Sequence, residues 1–189
     1  MKLNAASRLK AHKEDEKWVP GVRGYHYAVG CLLLAADTLN FSFQLRSADS
    51  DTPNTFGCWG GSIDGNEETF TALKRELREE TGYTGEMKIF PLMTYYDADR
   101  GFSYYNNLVV IPNQFKINPA PEFAGESAGD TWVPYNEWPD PLHPGLESLL
   151  ADPQTLRSVE MEIVRLENAK KNGVDPLKMS AAYRLTHCK

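Results

Sequence analysis

The sequence predicts an α/β fold, a mixed β-sheet with helices packed on its faces and a C-terminal helical extension. Three observations carry this. Residues 25–35 (YHYAVGCLLLA) are a nearly continuous run of strand formers, as in a strand buried on both faces. Residues 67–81 place Phe70, Leu73 and Leu77 at i, i+3 and i+7, the spacing of one helix face. Residues 156–171 repeat that spacing with Leu156, Val159, Ile163 and Leu166.

The elements follow in order. Residues 1–24 are mostly polar and charged and read as an N-terminal arm. Residues 41–46 (FSFQLR) alternate apolar and polar side chains and read as the hairpin partner of 25–35. Residues 47–55 are rich in Ser, Asp, Pro and Asn and read as a loop. A short strand at 56–59 runs into Gly60-Gly61, and a helix over 67–81 ends at Gly82, where a C-terminal glycine belongs. Strands at 88–96 and 105–111 flank the turn DADRGFS, and Trp132-Val133 is a short strand. A short helix at 146–150 and a longer one at 156–171 precede a tail at 172–189. The long helix either caps the domain or forms a homodimer contact, with capping the default. The expected organisation is an arm at 1–24, a main domain at 25–151, and a helix and tail at 152–189 packed on that domain.

Bulk properties narrow the function. The chain of 189 residues suits one domain, and 41% hydrophobic with 24% charged residues is globular composition. A net charge of −6 disfavours long nucleic acids. A small phosphate ligand stays open, because a bound divalent cation inverts the local field. The longest apolar run, 28–36, is too short to span a bilayer, so no membrane partner is expected. No apolar segment follows the N-terminus, which argues against a secretory signal. Cys31, Cys58 and Cys188 are odd in number and lack CxxC spacing. They read as free thiols in a reducing cytoplasm.

The informative stretch is 61–83, GSIDGNEETFTALKRELREETGY. With Leu73 and Leu77 on the buried side of a helix, Glu76, Glu79 and Glu80 fall within an arc of about 100° on a neighbouring side. Three carboxylates so close repel one another and raise one another's pKa values. A cation among them relieves that cost, and Mg2+ is the natural one, a hard ion that prefers carboxylate oxygens. An isolated ExxEE is usually only a solvated helix face. The wider spacing changes that reading.

Gly61 is followed at fixed intervals by Glu67, Arg75, Glu76, Leu77, Glu79, Glu80, Gly82 and Tyr83. This resembles the Nudix box, G-x5-E-x7-R-E-U-x-E-E-x-G-U, with U a bulky apolar residue. At average frequencies of about 6% per residue, the seven identities arise by chance roughly once in a million chains. The order of strands, Gly-Gly loop, box helix, hairpin and Trp-Val strand also resembles the Nudix α/β/α sandwich over about 25–151. Trp59 stands where the family usually has Pro, Gly65-Asn66 where Gly directly precedes the first box glutamate, and Tyr83 where an aliphatic residue is usual. None of these departures removes a metal ligand.

The resemblance implies a Mg2+-dependent hydrolase, with Mn2+ able to substitute, that cleaves a pyrophosphate bond in a small nucleotide-type substrate. It implies that Glu76, Glu79 and Glu80 bind metal, with the Gly61 carbonyl as a further ligand. Arg75 would pair with Glu67 and Glu79 and hold the loop against the helix. A further carboxylate is expected from the loop before Trp132, with Glu126 first and Glu122 second. The general base is Glu79 or Glu126. Trp59, Arg100 and Tyr104 are expected near the substrate, against the plainer reading of cross-strand aromatic packing around the turn. The alternatives are a Nudix-fold nucleotide sensor without turnover and an isomerase of the isopentenyl diphosphate type using Cys58. The intact box argues against both.

Overall fold

Why the first strand reads as continuously apolar is explained by its place in the computed structural model, which describes residues 26–178. Strand β1 (His26–Ala35) lies inside the sheet and is covered on both sides. The arm, with Trp18, Tyr25 and His12, and the tail beyond 178, with His187 and Cys188, lie outside the described residues. Among the described residues seven strands form one sheet. β2 is Asn40–Arg46, β3 is Phe56–Gly57 and β4 is Trp59–Ser62. β5 is Lys88–Asp97, β6 is Phe102–Ile111 and β7 is Ser127–Pro134. β1 runs parallel to β6 in register from His26↔Phe102 to Ala35↔Ile111, and the other pairings are antiparallel. The sheet is therefore mixed.

Each face carries its own core. Val29, Cys31, Leu33 and Val109 meet Ala72, Leu73 and Leu77 of helix α1 (Thr69–Thr81) on one side. Leu32, Leu34, Phe41, Phe43 and Leu108 meet Leu146 and Leu149 of α2 (Pro144–Ala151) on the other. Val159 and Leu166 of α3 (Pro153–Lys171) join that second core. Alternate side chains of each strand point to opposite faces, so one sheet supports two apolar layers. The result is an α/β/α sandwich with a C-terminal helix packed on it.

Several boundaries differ from the sequence expectation. The run at 56–59 is two strands, because Phe56–Gly57 pairs with β2 while Trp59–Ser62 pairs with β1. Phe70, expected on the buried side of α1, is 45% exposed, and Ala72 packs inward instead. β6 begins at Phe102, not 105, because the aromatic residues beside the turn remain in the ladder with β5. β7 is eight residues long, not two, because its polar residues pair along β2 through backbone groups that side-chain periodicity does not report. α2 and α3 start earlier than expected. His143 and Asp152 cap them, and each helix has a proline in its first turn.

Candidate active site

The site forms where β1 changes partner. Leu33 and Leu34 pair with β2, whereas Ala28, Val29, Gly30 and Cys31 pair with β4. β2 and β4 therefore diverge along β1, and α1 lies over the fork. Gly60 takes φ 142°, and a Cβ there would overlap the Val29 carbonyl oxygen. Only glycine lets β4 lie this close to β1 in that conformation.

Glu80 is brought into the fork by α1. Its Oε2 accepts a 2.7 Å hydrogen bond from the Gly60 backbone N–H, and its Oε1 accepts one of 3.2 Å from Gln44 Nε2. Glu80 is 5% exposed and Gln44 4%. Burial pushes the Glu80 carboxyl up to about 8, and the nearby Glu76 and Glu126 charges add to this, against the opposing pull of the two hydrogen bonds.

Glu76, one turn earlier, is also buried. A Cβ on Gly61 would lie 2.7–2.8 Å from its carboxylate, so the absent side chain leaves room for it. Burial raises the Glu76 pKa, Arg75 opposes this, and Glu79 and Glu126 reinforce it.

Arg75 ties the loop to the helix. Its Nη1 donates to Glu76 Oε1 at 2.7 Å and to Glu79 Oε2 at 3.1 Å. Its Nη2 donates to Glu67 Oε2 at 3.0 Å and to the Ser62 carbonyl at 2.8 Å. Burial works against the guanidinium charge, but Glu67, Glu76 and Glu79 outweigh it and hold its pKa above the usual value. The Glu79 carboxylate also lies 3.4 Å from Arg78 Nη2.

The fold thus brings Glu76, Glu79, Glu80, Arg75 and Gly61 together, with Glu126 near enough to act electrostatically on Glu76 and Glu80. Glu122 is exposed. Gln44 was not expected here. FSFQLR did place Gln44 on the face opposite Phe43, but only the sheet–helix packing sets Glu80 against it. Asp130 was also not singled out. It stands directly opposite Gln44 in the β2–β7 register and so projects to the same face.

This donor set suits a hard divalent cation, since it is all oxygen, closely spaced and mutually repulsive. Among the described residues no three acidic, His or Cys side chains form a ready-made cage. Arg75 supplies the positive charge between Glu76 and Glu79.

The residues expected at the substrate divide. Trp59 is corrected: it is fully buried, packs in the α1-side core and donates Nε1–H to Ser42 Oγ at 3.0 Å. With no exposed surface it touches no solute in this conformation. Arg100 lies at the β5–β6 turn with its side chain 84% exposed, 3.7 Å from Asp97. Tyr104 is half-buried, and its hydroxyl lies over Gly30, in space a Cβ there would fill. Tyr95–Phe102 and Phe102–Tyr104 ring contacts at 6.5 and 6.3 Å show aromatic packing beside the turn. Burial pushes the Cys58 thiol up to about 12, with Glu80 adding to it, so it stays protonated and unreactive near neutrality. His143 caps α2 by accepting from Gly145 N at 3.1 Å. A cavity of about 840 Å³ beside Glu67, Lys74, Arg75 and Arg78 is not lined by Glu76, Glu80 or Glu126, so it is separate from the point where the carboxylates converge. No described helix is long and apolar enough to cross a membrane.

Comparison with known proteins supplies a second line of observation. Residues 24–152 match the family model described as the NUDIX domain. A Nudix hydrolase from M. smegmatis, RenU, is similar in structure at 25% identity and TM-score 0.56, over 71% of this chain and 85% of that one. A MutT NUDIX hydrolase from Burkholderia pseudomallei shares the fold at 17% identity and TM-score 0.51, over 72% and 97% of the two chains. A NUDIX hydrolase from Nitrosomonas europaea does so at 17% identity and TM-score 0.51, over 69% and 65%. Among curated proteins nothing matches the chain.

Proposed function

The chain belongs to the NUDIX family, and from that premise we propose a Mg2+-dependent hydrolase that cleaves a pyrophosphate bond in a nucleoside diphosphate linked to another moiety. ADP-ribose, NADH, a dinucleoside polyphosphate or a nucleoside triphosphate fits that description. Pyrophosphate hydrolysis with a divalent metal ion is the general activity of the family. The particular ion, substrate and residue roles are our reading. The observation that carries it is Glu80, a buried carboxylate with uncharged hydrogen-bond donors and two further carboxylates close by.

Glu76, Glu79, Glu80, Glu126 and the Gly61 carbonyl are the groups assigned to hold the ion. When bound, Mg2+ neutralises the diphosphate charge and lowers the pKa of water. The protein does the remaining work. Arg75 keeps the 62–67 loop fixed on α1, so the carboxylates stay in one place. Glu79 or Glu126 accepts the proton of the attacking water. Substitution at phosphorus then releases two phosphate-bearing products. We place this chemistry in the cytoplasm, on the thiol argument made above. We also propose residues 25–151 as the catalytic domain, with the helix from 152 onward as its cap.

The test is a panel of nucleoside diphosphate derivatives incubated with Mg2+ or Mn2+, scored by which phosphate bond breaks. The expected result is metal-dependent release of phosphorylated products, reduced by orders of magnitude in Glu80→Gln. Tight binding without turnover for every member of the panel would identify a nucleotide sensor instead.

A further inference from the structure

The three box carboxylates are not held alike. Glu76 and Glu79 each lie on the Arg75 guanidinium, at 2.7 and 3.1 Å. Glu80 has two uncharged donors, the Gly60 N–H on one oxygen and the Gln44 amide on the other. A guanidinium offsets the charge of its carboxylate, whereas an amide orients a carboxylate without cancelling its charge.

Gln44 is set by the sheet and not by α1. Its strand is paired on both edges at this point, with Gly57 of β3 and Asp130 of β7 opposite Gln44. The amide is therefore a fixed reference against which α1 delivers Glu80. The α1-facing side of β2 carries two buried polar residues, Ser42 and Gln44. Buried polar groups need partners. Ser42 accepts from the core Trp59 indole, while Gln44 donates to Glu80. An ionised carboxylate offers about four lone-pair sites, so two neutral hydrogen bonds leave lone pairs on both oxygens.

We propose that Gln44 is a positioning residue of the metal site, whose amide, with the Gly60 N–H, holds the Glu80 carboxyl group in one orientation through uncharged donors, so that a divalent cation and not a guanidinium becomes its charged partner. This rests on the reading of Glu80 as a metal ligand. Glu80 is then the principal anchor of the ion, while Glu76 and Glu79 share their charge with Arg75.

The test measures Mn2+ affinity alone, without substrate, by the free-ion electron paramagnetic resonance signal. It compares the unaltered protein, Gln44→Met, Glu80→Gln and the double variant. Gln44→Met is expected to weaken Mn2+ binding about tenfold or more. In the Glu80→Gln background the same change is expected to add nothing, because Gln44 acts through Glu80. Unchanged affinity in Gln44→Met with weakened binding in Glu80→Gln overturns the role of Gln44 and leaves the ligand reading standing. Equal, additive losses in the double variant also overturn it, since they mark general loosening of the sheet. Unchanged affinity in Glu80→Gln overturns the ligand reading and this proposal together. A crystal structure of the unaltered full chain with Mn2+ gives an answer that does not depend on any variant folding. Gln44 Nε2 is expected to stay on Glu80 Oε1, and a carboxylate turned away from Gln44 overturns the proposal.

Discussion

Glu80 of α1 and Gly60 of β4 are joined by a 2.7 Å hydrogen bond from backbone N–H to Oε2. The last box carboxylate is thereby tied to the sheet and not to its own helix. The bond exists because β4 lies directly against β1, which the left-handed φ of Gly60 permits. Strand packing and the charge of the site are therefore coupled.

The two adjacent glycines are expected to respond differently to a methyl group. Gly60→Ala meets the Val29 carbonyl in a conformation that alanine resists, so it should lose about 3 kcal/mol or more in denaturant unfolding. Gly61→Ala meets the carboxylate end of the Glu76 side chain and not backbone, so Glu76 shifts while the strands keep their places. It should unfold within about 1 kcal/mol of the unaltered protein yet bind Mn2+ more weakly. Equal stability losses in the two variants would contradict this.

Stability without metal should fall as pH rises from about 5 to 8. A Glu80 carboxyl raised to about 8 in the folded protein loses its proton later than in the unfolded chain, where its ordinary value is 4.5. Between those values the folded state binds more protons, so raising the pH favours unfolding. The cost reaches its limit above about 8, on the order of a few kcal/mol. Thermal unfolding in chelator at several pH values measures it. Glu80→Gln should flatten the slope, and added Mg2+ should restore stability on the alkaline side.

Arg75→Met should reduce turnover by about 10–100-fold. The change strips Glu67, Glu76 and Glu79 of their shared cation and releases the loop at Ser62. Part of the lost thermal stability should return with Mg2+, because the ion offsets the same repulsion. Steady-state kinetics alongside melting curves with and without Mg2+ separate the two effects.

A stability change remote from this chemistry is expected at the buried pair Glu162–Arg165. Both side chains are 5% exposed, and Arg165 Nε lies 2.8–2.9 Å from the Glu162 carboxylate oxygens. Arg165 Nη1 also donates to the Pro176 carbonyl at 2.8 Å, holding the chain after α3. Arg165→Met removes the guanidinium that two bonds hold against a buried carboxylate and should cost about 3–5 kcal/mol. Replacing both residues by Met should cost less than that single change. Denaturant midpoints measure both, and Mn2+ affinity should not move.

Much of the fold was legible because its signals are local. The apolar run of β1 and the heptad-like spacing of α1 and α3 appear in single stretches of sequence. β7 was read as two residues because its ladder uses backbone groups, while its outward side chains are polar or small. Phe70 has the spacing of a core residue, yet α1 presents it to solvent. Periodicity marks an apolar face without saying how wide a strip the sheet covers. Trp59 was expected at the substrate because it borders the glycine loop, but the side alternation of β4 turns it into the core.

The sequence by itself determined the family, the layered α/β architecture and the acidic residues of the box, since these follow from residue types at short, fixed spacings. Tertiary structure decided which side chains face those acids. Gln44 and Gly60 reach Glu80 from two strands that meet it only after β1 exchanges partners. The reason is geometric. Spacing along one helix or strand specifies direction within that element, while hydrogen-bond partners across elements depend on register and packing.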